Sequence, residues 1–195
     1  MSWIEEWVTP GMVVADVGAN SGQEVAEFVK AGAIVTAIEP HPMMATVLRE
    51  TWPGVTVVDA AAHDHLGVTT LYRSADSQQS SLYQPAILED AGPIEVPTVT
   101  LDSLGVFDVV KIDVQGAEVS VLRGATRTLE TRRAIWYVEL WRSGLEWAGE
   151  SVAAVRAIFE TYGYRPHRHT WDEIEIQANR QSGHGSIDAL IVPGE

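Results

Sequence analysis

Cysteine is absent from this chain of 195 residues, so disulfide bonds, thiolate catalysis and cysteine-ligated metal sites are excluded. Long apolar runs are missing too, since none reaches the length of about 18 residues that suggests a membrane helix. No apolar segment follows a basic start, so we expect no secretory signal and no membrane partner. These absences together fit a cytoplasmic protein.

Basic residues are scarce. The sequence has 13 lysines and arginines against 27 aspartates and glutamates, and its net charge is −14. No local cluster of basic residues offsets this excess, so the chain as a whole would repel a phosphate backbone. We therefore expect no nucleic-acid partner.

Neither common phosphate-binding glycine signature is present. The sequence G-x-x-x-x-G-K-[ST] occurs nowhere, and the dinucleotide signature G-x-G-x-x-G is interrupted at Asn20 and Gln23. A related turn is nevertheless there, because residues 16–22 read Asp-Val-Gly-Ala-Asn-Ser-Gly between an apolar strand at 12–15 and a helical pattern at 23–30. This order of strand, glycine turn and helix indicates an α/β protein that binds a nucleotide.

The glycine turn suits a ligand with a cationic end. Gly18 and Gly22 lack a Cβ, so the backbone can approach a ligand closely, and we expect Ala19 and Asn20 to line the same site. Asp16, just before the turn, suits the amino group and sulfonium of S-adenosylmethionine better than it suits a pyrophosphate. The alternative is an ordinary strand-to-helix turn of another α/β protein.

Two further strand ends carry candidate cofactor ligands. Glu39 ends the strand at 33–38, where a carboxylate can accept hydrogen bonds from both ribose hydroxyls of an adenosine. Pro40 stops that strand and belongs to the same predicted site. Asp59 and Ala60 follow the third strand, and we expect them to border the adenine, with Asp59 accepting from its exocyclic amine. A solvated strand-end Glu39 and a surface Asp59 are the alternatives.

The strand at 107–112 supplies the candidate reaction centre. Lys111 and Asp113 share one face, because side chains alternate along a strand, and Asp113 stands at the carboxyl end where such sheets bind ligands. Glu139 lies near the carboxyl end of the next strand, at 134–140. We predict that Asp113 is the general base or a close substrate contact, with Glu139 and Lys111 beside it. The alternative is that Asp113 pairs with Lys111 or holds the amino group of the cofactor.

Strand and helix patterns alternate along most of the chain, which predicts an α/β fold with helices on both faces of a mostly parallel sheet. One or two strands within 164–176 and a last strand at 186–192 predict a terminal antiparallel pair. Ser21 and Glu24 have the spacing of a capping box, which would start the first long helix. We expect one domain over residues 1–195.

Four segments in order resemble the FkbM family of S-adenosylmethionine-dependent methyltransferases: Asp-Val-Gly-Ala-Asn-Ser-Gly at 16–22, Glu-Pro at 39–40, Lys-Ile-Asp-Val-Gln-Gly-Ala-Glu at 111–118 and Leu-Arg-Gly-Ala at 122–125. The resemblance implies a Rossmann-like class I methyltransferase fold, with a mostly parallel seven-stranded sheet and a terminal antiparallel strand. It also implies S-adenosylmethionine as cofactor, S-adenosylhomocysteine as product, and O-methylation of a small molecule or sugar.

The chain departs from the family pattern in two places. Gln115 stands where the family commonly has glutamate, which removes a charge near the proposed centre and puts an acid–base role for this position in doubt. The N-terminal extension usual in the family is nearly absent. An open pocket, a pocket completed by the second subunit of a homodimer and a large acceptor are the expectations that follow.

Metal chemistry is an alternative, although we expect no metal to be required. Asp113, Glu118 and Glu139 could together hold Mg²⁺, which prefers carboxylates and water. The His-x-His pairs at 63–65 and 167–169 have a spacing that permits zinc on a strand, but no third ligand is obvious and surface histidines are the expectation.

Two other functions compete with methyl transfer. A nicotinamide-dependent oxidoreductase could use a similar sheet, although the missing glycines count against it. A methyltransferase-like module could also bind cofactor or a partner without turnover, an alternative that Gln115 and the nearly absent N-terminal extension keep open.

Overall fold

The structure is a computed structural model that describes residues 2–74, 80–83, 90–180 and 185–194. Its strands are β1 (Val13–Val17), β2 (Ile34–Ile38), β3 (Thr56–Val58), β4 (Ala61–Ala62), β5 (Gly67–Ser74), β6 (Asp90–Val99), β7 (Val109–Ile112), β8 (Ile135–Trp141), β9 (Tyr164–Pro166) and β10 (Ser186–Pro193). Its helices are α1 (Trp3–Trp7), α2 (Gln23–Lys30), α3 (Pro42–Thr51), α4 (Leu101–Leu104), α5 (Glu118–Arg123), α6 (Thr126–Glu130), α7 (Arg142–Trp147), α8 (Val152–Thr161) and α9 (Trp171–Arg180).

Seven strands form the main sheet, in the order β3-β2-β1-β7-β8-β10-β9. Strands β3, β2, β1, β7 and β8 run parallel, whereas β10 is antiparallel to both of its neighbours. A smaller sheet, β4-β6-β5, lies between β3 and β7 in the chain. The predicted mostly parallel sheet with a terminal antiparallel strand is therefore confirmed. The strand order reverses between β1 and β7, which opens a crevice at their carboxyl ends.

Apolar side chains fill both faces of the central strands. On one face Val14 and Val109 pack with Phe28 of α2, and on the other Ile112 and Trp136 belong to the cluster that includes the helix residues of α5 and α8. Strands covered on both faces are typically apolar throughout, as in parallel sheets generally. No helix in the described part of the chain is both long and apolar enough to cross a membrane.

Two charged residues interrupt this apolar pattern. Asp16 on β1 and Lys111 on β7 are neighbours in the register of the sheet and are 0% and 3% exposed. Lys111 is in turn paired with Tyr137 on β8. Because charged side chains are almost never buried without compensation, these positions mark the face of the sheet on which a functional site is to be sought.

The structure corrects two predictions about helices. Of the one or two strands expected within 164–176, one is present as β9, and the remainder of that range begins helix α9, because Thr170 and Glu173 exchange capping hydrogen bonds and Trp171 and Ile174 are buried one turn apart. The predicted capping box of Ser21 and Glu24 is also wrong: α2 begins after Gly22, which has no side-chain capping bond.

Candidate active site

A cavity of about 370 Å³ opens at the carboxyl ends of β1, β2, β7 and β8. Most of the site residues predicted from the sequence contribute to its wall, namely Gly18, Ala19, Asn20, Glu39, Pro40, Lys111, Asp113 and Glu139. None of the four remaining predicted residues lines the cavity: Asp16, Gly22 and Ala60 are buried, and Asp59 is exposed. The strand ends thus bring together groups that are up to about 120 residues apart in sequence, as the switch point of such a sheet requires.

Gly18 brings the turn after β1 against the loop after β7. Its φ is +80°, and a Cβ at this position would overlap the carbonyl oxygen of Asp113. The backbone N–H of Gly18 donates to the carbonyl of Ile38 at 2.9 Å, and that of Asp113 donates to the carbonyl of Val17 at 2.9 Å. Only glycine fits this contact, so the glycine turn and Asp113 are held at a fixed separation.

Glu39 is held at the other side of the cavity by two backbone hydrogen bonds. The N–H of Asn20 donates to its Oε2 at 2.8 Å, and the N–H of His41 donates to its Oε1 at 2.7 Å. Burial outweighs these bonds and raises the pKa of Glu39 to about 7. Each carboxylate oxygen has a second lone pair, so the group can still accept from a ligand in the cavity.

Lys111 is surrounded by three carboxylates. Its Nζ lies 3.5 Å from Oδ1 of Asp16, 3.5 Å from Oδ2 of Asp113 and 3.7 Å from Oε2 of Glu24. Burial disfavours the charge of the lysine, but the carboxylates outweigh it and raise the pKa of Lys111. Burial also raises the pKa of Asp16 to about 6, against the attraction of Lys111. Among the residues that the structure describes, neither oxygen of Asp16 has a hydrogen-bond partner, so the lysine is its main compensation.

Glu24 is a site residue that the sequence reasoning missed. It was assigned to a capping box, but in the structure it lines the cavity from the first turn of α2. A usable signal was present, because the first turn of a helix that follows such a glycine turn overhangs the carboxyl edge of the sheet. The cavity wall also contains Ala61, Ala62 and the segment 80–82, which the site prediction did not include.

Gln115 fixes the orientation of Asp113. Its side-chain Nε2 donates to Oδ1 of Asp113 at 2.7 Å, and its backbone carbonyl accepts from Oγ of Ser81 at 2.7 Å. The φ of Gln115 is +53°, a left-handed conformation that is uncommon outside glycine. The amide of Gln115 thus donates to the carboxyl group of Asp113, whereas a glutamate at this position would place a second carboxyl group against it.

Glu139 differs from Asp113 in its electrostatic surroundings. Burial and the charge of Asp113 raise the pKa of Glu139 to about 7. Asp188 faces it from the paired position on β10 and acts in the same direction. A carboxyl group with this pKa can exchange a proton near neutral pH.

Asp59 is placed away from the cavity. It is exposed, and its Oδ2 lies 3.3 Å from Nη2 of Arg49. Ala60 is buried but does not line the cavity, whereas Ala61 and Ala62 do. The small residues expected beside an adenine thus occur one position later in the chain.

The carboxylates of the Mg²⁺ alternative do not form a compact set. Among the residues that the structure describes, the group of potential ligand atoms that lie within 4.8 Å of one another is that of His63, Asp64 and His65. Glu118 instead accepts from the N–H of Gly116 at 3.0 Å, and burial raises its pKa to about 7.

The comparisons with solved structures show the fold. An FkbM methyltransferase from Methylobacillus flagellatus is 14% identical, with a TM-score of 0.57, and the match covers 93% of this chain and 43% of that one. An rRNA methylase from Streptococcus thermophilus is 8% identical, with a TM-score of 0.56, and the match covers 98% of this chain and 92% of that one. Magnesium protoporphyrin IX methyltransferase from Synechocystis, solved with bound S-adenosylmethionine, is 14% identical, with a TM-score of 0.53. That match covers 95% of this chain and 71% of the other.

The fold is that of the class I S-adenosylmethionine-dependent methyltransferases. Its antiparallel β10 also distinguishes it from the parallel dinucleotide-binding sheet, which counts against the oxidoreductase alternative. No curated protein matches the chain. The sequence profile of the methyltransferase FkbM domain matches residues 16–166, and the chain therefore belongs to the FkbM methyltransferase family.

Proposed function

We propose that this protein transfers the methyl group of S-adenosylmethionine to a hydroxyl oxygen of a small molecule or sugar. The observation that carries the proposal is the cavity at the switch point of the sheet, which has Glu39 on one side and the carboxylates around Lys111 on the other. Membership of the FkbM family supports the same reaction class.

The adenosine part of the cofactor would bind beside Glu39. The two backbone N–H groups of Asn20 and His41 orient this carboxylate, so that its free lone pairs can accept from vicinal ribose hydroxyls. Ala61 and Ala62 leave room for the adenine ring on the neighbouring wall.

The methionine part would lie toward Lys111. Asp16, Glu24 and Asp113 carry three negative charges around one lysine, so the local charge remains negative when all are ionised. A sulfonium and an ammonium group are attracted to such a site, whereas a pyrophosphate is repelled.

Methyl transfer needs alignment and removal of one proton. The acceptor oxygen forms a bond to the methyl carbon as the bond from that carbon to sulfur breaks, which leaves S-adenosylhomocysteine. The hydroxyl proton must pass to a base. Of the two candidates, Glu139 fits this role better than Asp113, because its pKa is raised to about 7, whereas the carboxyl group of Asp113 is already engaged by the side-chain amide of Gln115 and the amine of Lys111. Asp113 is then a positioning group for substrate or cofactor.

A small, uncharged or cationic acceptor is consistent with the charge of the protein. The net charge is −14, and the cavity wall contains four acidic residues and one basic residue, with the acidic ones Glu24, Glu39, Asp113 and Glu139. A polyanionic RNA would be repelled by this surface, although an rRNA methylase shares the fold.

The first test is calorimetric titration with S-adenosylhomocysteine, with NAD as the control ligand. We expect binding of the first ligand only. Glu39→Gln should weaken this binding by about 10- to 100-fold, because glutamine keeps only one acceptor oxygen and one hydrogen bond to a charged group contributes about 1.5–3 kcal/mol. Asp59→Asn is the matched control, because Asp59 is exposed and paired with Arg49. The affinity of this variant for S-adenosylhomocysteine should equal that of wild type. Equal affinities for wild type and Glu39→Gln would contradict the placement of the ribose.

The second test assigns the base. Release of S-adenosylhomocysteine is followed with a panel of hydroxylated acceptors over pH 5–9. In wild type we expect the rate to rise through about pH 7, and in Glu139→Gln that limb and most of the rate should be lost, with unchanged cofactor affinity. Cofactor binding without turnover on any acceptor would favour a non-catalytic binding module.

A further inference from the structure

Three consecutive residues form a compact group of metal-ligating side chains outside the cavity. Nδ1 of His63 lies 2.7 Å from Oδ1 of Asp64, and Nδ1 of His65 lies 2.6 Å from the same oxygen. The two imidazole rings are 4.5 Å apart and nearly perpendicular. Both imidazole nitrogens thus lie against the same carboxylate oxygen, and the three potential ligand atoms lie within 4.8 Å of one another, an arrangement that two histidines two residues apart do not by themselves ensure.

The backbone beneath this group is fixed. The N–H of His63 donates to the carbonyl of Val99 at 2.8 Å, and its own carbonyl oxygen presses on Gly124, where a Cβ would overlap it. The side chain of His63 is 15% exposed, whereas those of Asp64 and His65 are 37% and 57% exposed. One ligand is thus anchored and two are accessible, which provides a path for an ion to enter.

We propose that His63, Asp64 and His65 bind one divalent transition-metal ion, with Zn²⁺ as the best fit. Imidazole nitrogen favours zinc, nickel and copper, whereas Mg²⁺ favours oxygen ligands and water. Zinc with ligands at about 2.0–2.1 Å in tetrahedral geometry needs them about 3.3 Å apart, so the present contacts must open by about 0.7 Å. Rotation of the exposed side chains of Asp64 and His65 achieves this, and water completes the coordination.

The ion would stabilise the loop between β4 and β5. Ala61 and Ala62, directly before His63, belong to the cavity wall, while the metal ligands do not. The site is therefore independent of the proposed methyl transfer. It also differs from the Mg²⁺ alternative at the reaction centre, because none of its ligands is shared with that set.

The test is titration of the full chain with zinc chloride after treatment with a chelator. We expect a one-to-one complex that His65→Ala and Asp64→Asn each weaken by at least about 10-fold. His169→Ala is the matched control, because it removes an exposed histidine from the other His-x-His pair and should leave the affinity unchanged. Magnesium chloride should neither bind there nor compete.

A second measurement guards against loss of the fold. Without metal, the three variants should melt at the wild-type temperature, and zinc should raise the melting temperature of wild type and His169→Ala but not that of His65→Ala. An absence of zinc binding to wild type, or equal zinc affinity in wild type and His65→Ala, would overturn the proposal. Equal weakening by His169→Ala would overturn it as well, because it would indicate non-specific binding to surface histidines.

Discussion

The carboxylates around Lys111 make a quantitative prediction about stability. Lys111→Met keeps the apolar length of the side chain but removes its charge, and it leaves Asp16 fully buried with no hydrogen-bond partner in the described part of the chain. Asp113 and Glu24 lose the same cation, although both are partly exposed and keep access to water. The main energetic penalty should therefore arise at Asp16.

The magnitude follows from the geometry. At an effective dielectric constant of about 20, unit charges 3.5 Å apart attract by about 5 kcal/mol before desolvation is counted. Removal of one partner of a buried ion pair typically costs about 3–5 kcal/mol, because it leaves the other charge uncompensated. We expect Lys111→Met to lower the free energy of unfolding by this amount. The double variant Asp16→Asn/Lys111→Met should be more stable than Lys111→Met alone.

The assay is urea unfolding at pH 7, followed by circular dichroism and tryptophan fluorescence. Lys30→Met is the matched control, because Lys30 is 80% exposed and its Nζ lies 3.8 Å from Glu5, so its loss should change stability little. The reasoning fails if Lys111→Met is as stable as Lys30→Met. It also fails if adding Asp16→Asn to Lys111→Met destabilises the protein further.

Two other predictions concern groups near the cavity. Gly18→Ala should lose S-adenosylhomocysteine binding and melt at a lower temperature, because its Cβ would overlap the carbonyl of Asp113. Gly54→Ala is the control, since open space surrounds Gly54, and it should behave as wild type in the same titration and melting assays. The pKa of Glu118 is about 7 in the folded state and 4.5 ordinarily, so the folded state binds this proton more tightly than the unfolded state does. Proton binding by Glu118 therefore favours the folded state at low pH, and this stabilisation is lost as pH rises from about 4.5 through 7. Glu118→Gln should therefore gain up to about 3 kcal/mol relative to wild type between pH 5 and pH 8 in urea unfolding, and a constant difference across that range would contradict the buried-carboxyl explanation.

Local sequence patterns were sufficient to predict the main sheet. The apolar strands, the glycine turn at 16–22 and the acidic residue at 39 are each recognisable within a few neighbouring residues, and the parallel topology then brings the strand ends together. The helix at 171–180 was missed because short apolar patterns do not distinguish strand from helix. The spacing of Thr170 and Glu173, which form a capping box, was a local signal for the start of this helix.

The details of the site depend on tertiary packing. The sequence suggested that Asp113 pairs with Lys111, but not that Asp16 and Glu24 approach the same amine, because this depends on the register of β1 with β7 and on the entry of α2. Likewise, a contact between the carbonyl of Gln115 and Ser81 joins segments 34 residues apart. No local pattern encodes such contacts.

The burial of Lys111 has a practical consequence for labelling. The chain has two lysines, and their side chains are 4% and 80% exposed, so the ε-amines differ greatly in accessibility. An amine-reactive reagent should modify Lys30 in the folded protein and reach Lys111 only when the sheet opens. Acylation of Lys111, read by mass spectrometry, would then report the rate of opening without any engineered probe. Immobilisation of the protein on a solid support through Lys30 would, for the same reason, leave the cavity unmodified.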